Sequence, residues 1–102
     1  MLRTYKSYVE SMLRKLAKKW RLNLYGAFGR YEFGGVWIFK NKDERNVLTI
    51  QYDFAREFFE VVISRGNVET TRRIPYGDER SEIEFFEYVD NKLREETRKY
   101  DS

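Results

Sequence analysis

Residues 34–52, GGVWIFKNKDERNVLTIQY, decide how this chain folds. Gly34-Gly35 is a two-residue hairpin signal leading into a strand over Val36–Lys40. The polar run Asn41–Asn46 then reads as a turn. After it Leu48, Ile50 and Tyr52 alternate with Thr49 and Gln51, the period-two pattern of a strand with one buried face. Two apolar strands around a polar turn make an antiparallel hairpin, and the flanking segments are read against it.

Upstream, 22–33 (LNLYGAFGRYEF) alternates loosely and is broken by Gly26 and Gly29, as in a bent or bulged strand. Before it the period lengthens to 3.6. Tyr5, Val9, Met12, Leu13, Leu16 and Trp20 share one arc of a helix, opposite Arg3, Lys6, Arg14, Lys18 and Arg21. Downstream, 58–64 (FFEVVIS), a turn at Arg65-Gly66-Asn67 and 68–74 (VETTRRI) form a second hairpin. A short helix over 53–65 is the alternative; the β-branched run Val61-Val62-Ile63 favours strand. Ser81-Glu82-Ile83-Glu84 reads as a capping box before a last helix with an apolar stripe of Phe86, Val89, Leu93 and Tyr100. On that helix Asp90/Arg94 and Glu95/Lys99 stand at ion-pair spacing.

The expected fold is therefore one α+β domain over residues 1–102. An antiparallel sheet of about five strands is flanked by an N-terminal and a C-terminal helix. Two fragments also repeat: EFFEVV at 57–62 returns as EFFEYV at 84–89, and V-x-I and I-x-Y mark both hairpins. This reads either as low-complexity coincidence or as a duplication with halves near 1–53 and 54–102 meeting across a seam.

Composition narrows the chemistry. The chain has no cysteine and no histidine, which removes disulfides, thiol catalysis and most transition-metal and imidazole acid–base sites. Eighteen per cent of residues are aromatic, enough for a core, while 36% are charged. The first nineteen residues are too charged for a signal peptide, and no stretch has the roughly 18–20 apolar residues of a membrane span. A cytoplasmic setting follows as an expectation. One proline and many Glu, Lys and Arg fit a heat-adapted source. Pro75…Asp78 with Asp90-Asn91-Lys92 superficially echoes a magnesium-nuclease pattern. Asp90 and Lys92, however, fall in a helix, where residues two apart diverge. Glu57, Glu60, Glu84 and Glu87 read as a solvated rim, and no glycine loop cradles phosphate. No catalytic, cofactor or metal site is expected.

Two binding readings remain. Residues 1–51 carry 11 Lys/Arg against four Asp/Glu, whereas 52–102 carry nine against 13. Arg14, Lys15, Lys18, Lys19 and Arg21 are thus candidates for nucleic-acid phosphates, a membrane surface or simply solvent and the acidic half. The leading reading is a non-enzymatic protein-interaction module. An extended protein or peptide segment would bind at a sheet edge or in a groove lined by Trp37, Phe39, Tyr52 and Tyr76. The chain is expected to be a monomer or a weak homo-oligomer. In length, in its Glu/Lys/Arg/Tyr-rich make-up without Cys or His, and in the order helix, hairpins, capped helix, it resembles small orphan proteins encoded by filamentous viruses of hyperthermophilic archaea. That resemblance implies a host-cell cytoplasm and no known enzyme class, and it assigns no functional residue.

Overall fold

The computed structural model describes residues 2–28, 34–53, 58–65, 68–75 and 79–101. Helix α1 spans Leu2–Lys19 and helix α2 spans Glu79–Asp101. Between them run β1 (Asn23–Phe28), β2 (Gly34–Lys40), β3 (Asn46–Asp53), β4 (Phe58–Arg65) and β5 (Val68–Pro75). The class is α+β, and each strand pairs antiparallel with the next in sequence, in the order β1-β2-β3-β4-β5. The shortest dimension is 20 Å, about two layers of roughly 10 Å each.

Both helices lie on one face of the sheet. That face carries Trp37 and Phe39 from β2, Leu48, Ile50 and Tyr52 from β3, Phe59 and Val61 from β4, and Ile74 from β5, all buried. α1 covers them with Val9, Leu13 and Ala17, and α2 with Phe85, Val89 and Leu93. Phe59 and Phe85 stack at 4.1 Å, joining sheet to helix, and Trp37 stacks on Tyr52 at 4.0 Å. The register shifts between Phe39 and Lys40, so Val47 and Leu48 are both buried although adjacent in sequence. Fully burying side chains of this size contributes about 1.5–3 kcal/mol each before ordering entropy is subtracted.

Several expectations change. Gly34-Gly35 is not a turn; both residues are the first rungs of β2, with Gly35 opposite Tyr52. Gly35 presents no side chain there, and the Tyr52 ring lies on Trp37 instead. α2 starts at Glu79, so Ser81 and Glu84 sit inside the helix rather than capping it. Its buried stripe is Phe85, Val89 and Leu93; Phe86 is half-buried, edge-on to Tyr8, and the Tyr100 side chain lies outside the described residues. The repeated fragment adopts two conformations: Phe58–Val62 is strand and Glu84–Val89 is helix. Those stretches are not structural equivalents. Residues 58–65 are strand, not helix, because β4 is held between β3 and β5.

Candidate functional site

Of the four ring-bearing residues expected to line a groove, Trp37, Phe39 and Tyr52 belong to the core, and Tyr76 lies outside the described residues. Trp37 and Phe39 are 0% exposed and Tyr52 5%, which leaves no ring surface for a partner. The physical reason is the one-sided sheet: residues of alternating parity that face the helices are closed over by them.

The five basic candidates do not form one patch. Arg14 and Lys18 flank β1; Lys19 turns the other way and donates to both oxygens of Asp90 on α2, at 3.1 and 2.9 Å. Arg21 lines a smaller cleft with Trp20, Asn41, Lys42 and Thr97. Lys15 is exposed on α1. Arg14 lies 3.7 Å from Glu10, while Lys15, Lys18 and Arg21 have no ion pair among the described residues.

Local structure explains these directions. α1 ends in a left-handed cap: Arg21 has φ 57°, its N–H donates to the Lys18 carbonyl at 3.2 Å, and Leu22 N–H donates to Ala17 at 2.8 Å. The cap turns the chain back so that β1 runs beside α1 in the opposite sense. Farther along, the fully buried Trp37 donates its indole N–H to Glu10 at 3.3 Å. A Cβ at Gly26 would sit 3.4 Å from that same carboxylate, an ordinary contact distance, so β1 passes beside α1 at this point.

The result is an open groove of about 410 Å³ along the free side of β1. Arg14, Ala17 and Lys18 form its helical wall and 22–25 its strand wall. β1, with the sequence NLYGAF, contains neither a charge nor a proline, and among the described residues it pairs with β2 alone. Tyr25 is fixed across the strand: its hydroxyl donates to Glu44 at 3.1 Å and Lys40 Nζ lies 5.2 Å from its ring. The Glu44 hydrogen bond, burial and the Glu44 charge together push the Tyr25 phenol above its ordinary pKa. β5, the other edge, ends in Arg72, Arg73 and Pro75, with Arg72 drawn to Glu84 at 2.8 Å.

Sequence reasoning missed the groove because it needs the direction of α1 relative to β1. The available signal was an uncharged, proline-free strand directly after a helix. Among the described residues no group of three or more acidic, His or Cys side chains could hold a metal ion. Among them, too, no helix is long and apolar enough to cross a membrane. Comparison with protein-family models, curated proteins and solved structures gives no match.

Proposed function

We propose that this chain is a non-enzymatic protein-interaction module that takes up an extended polypeptide segment along the free edge of β1. The observation that carries this reading is the groove beside an uncharged, proline-free edge strand. Edge N–H and C=O groups supply hydrogen bonds to an added strand, and side-chain space beside them supplies selectivity. The opposite edge is poorly suited, since charged residues and proline blunt strand addition. In this reading the setting is a host-cell cytoplasm, as the resemblance to viral orphan proteins implies.

A second reading is a nucleic-acid-binding accessory role, supported by Lys15, Lys18 and Arg21, which make no ion pair among the described residues. It is the weaker of the two because the cations face different ways and Lys19 is already engaged by Asp90.

Backbone amide NMR with a ten-residue peptide alternating valine and threonine tests the first reading. Amides of 22–28 are expected to shift, with slowed hydrogen exchange along β1. Only alternate residues of an edge strand turn their N–H groups outward. One of Leu24→Pro and Tyr25→Pro therefore spares the β1–β2 ladder, and circular dichroism identifies which. That variant is expected to lose peptide binding. Shifts confined to other elements, or undiminished binding by the folded proline variant, overturn the reading.

A further inference from the structure

We infer that the segment accepted at the β1 edge is acidic, with two carboxylates spaced two residues apart on its α1-facing side. This rests on the edge-binding reading above and adds the chemistry of the partner.

Leu22 is joined to Ala17, and Gly26 sits beside Glu10, so moving up β1 means moving back down α1. Arg14 falls between those anchor points and Lys18 one residue beyond Ala17, and both are exposed on the groove wall. Four residues of helix advance about 6 Å along the axis. Residues i and i+2 of an extended strand share a face and lie about 6.6–6.8 Å apart. The two spacings match closely enough that alternate acids of one added strand reach both cations. Lys18 has no ion pair among the described residues, and Arg14 has only Glu10 at 3.7 Å, so both can accept a closer carboxylate.

Charge also selects against the other occupants. A second copy pairing β1 to β1 about a two-fold axis would bring two sets of Arg14 and Lys18 onto one seam. The β5 edge of another copy would add Arg72 and Arg73 to them. A nucleic-acid strand carries charge at every nucleotide, yet Glu10 sits beside Gly26 farther along β1 and Glu44 holds Tyr25 on the groove's strand wall. Two cations with acids on the neighbouring stretch of chain fit a short acidic peptide, which needs only two charges placed correctly.

Three fluorescein-labelled ten-residue peptides, alternating valine with glutamate, glutamine or lysine, are the probes, read by fluorescence anisotropy at 50 and 300 mM NaCl. The glutamate peptide is expected to bind at least tenfold tighter than the glutamine peptide at 50 mM, with the gap narrowing at 300 mM. The double variant Arg14→Gln/Lys18→Gln, its fold checked by circular dichroism, is expected to erase that gap, while Lys15→Gln preserves it. A variant that fails the fold check is replaced by Lys18→Glu alone, expected to reverse the preference toward lysine. Equal binding of glutamate and glutamine peptides overturns the acidic inference and leaves edge binding standing. Failure of all three peptides to bind overturns both. Displacement of the glutamate peptide by a ten-nucleotide oligothymidylate that also binds the folded edge-proline variant overturns the inference in favour of nucleic acid. A dimer in sedimentation velocity that dissociates on adding the glutamate peptide overturns it in favour of a second copy.

Discussion

Arg21 holds a left-handed backbone conformation, φ 57°, in which its Cβ crowds the following carbonyl. Glycine avoids that clash and is the usual residue at this point of the cap. The position lies two residues past the end of helix α1, and the Arg21 side chain makes no ion pair among the described residues to offset the strain. Arg21→Gly is therefore expected to raise stability by about 1 kcal/mol, less any gain in unfolded-chain entropy. Urea titration with an unchanged slope checks it. A lower midpoint would show that the arginine contributes something beyond geometry. The same substitution leaves the β1 groove unaltered, since Arg21 lines the other cleft. Glu10 shows the opposite economy: one carboxylate meets the buried Trp37 indole and the Arg14 guanidinium, so it is structural first. Only its i,i+4 spacing to Arg14 was legible in the sequence, because Trp37 is 27 residues away.

Elements expose how far pattern reading reaches. Both amphipathic helices and the alternation in β3 were readable, because periodicity reports which residues share a face. Boundaries and neighbours were not. FFE is strand at 58–60 and helix at 85–87; its apolar residues satisfy either period, and only pairing with β3 and β5 decides for β4. Spacing likewise paired Asp90 with Arg94 along α2, whereas the carboxylate reaches across to α1 and accepts from Lys19 and from the Trp20 indole N–H at 2.7 Å. Partial burial pushes the Asp90 carboxyl up. Hydrogen bonds from Lys19 and Trp20, with the charges of Lys19 and Arg94, outweigh it and leave the group below its ordinary pKa. A carboxyl whose folded pKa is depressed adds stability above its unfolded value of about 3.9, and that stability is lost as pH falls through the folded value. Asp90→Asn is expected to cost about 1 kcal/mol at pH 7, a charged hydrogen-bond energy discounted for exposure. The difference from the parent should vanish in acid. Thermal unfolding at pH 7 and pH 2.5 measures both, and a cost that persists undiminished at pH 2.5 would remove the electrostatic account.

For the molecule as a whole, composition and period were enough to read an α+β chain with a helix at each end of an antiparallel sheet. They were not enough to say which face of the sheet the helices close. That choice sends Trp37, Phe39 and Tyr52 inward and moves the candidate site from those rings to the β1 edge. It also places Phe85 on the buried face of α2, where helical spacing predicted Phe86. Phe85 is fully buried and stacks on Phe59, a ring contact that joins α2 to the sheet. Phe86 lies at the margin, edge-on to the half-exposed Tyr8 at 6.2 Å. Removing a buried phenylalanine side chain costs about 3–5 kcal/mol, transfer and cavity terms together. Domains of this size hold roughly 5–15 kcal/mol in total, so Phe85→Ala consumes a large share of it. Phe86→Ala gives up only partial burial, about 1–2 kcal/mol. Urea midpoints should therefore fall in the order parent, Phe86→Ala, Phe85→Ala. If Phe86→Ala proves the more damaging of the two, the helix is rotated about its axis from the orientation described, and the assignment of its buried face fails with it.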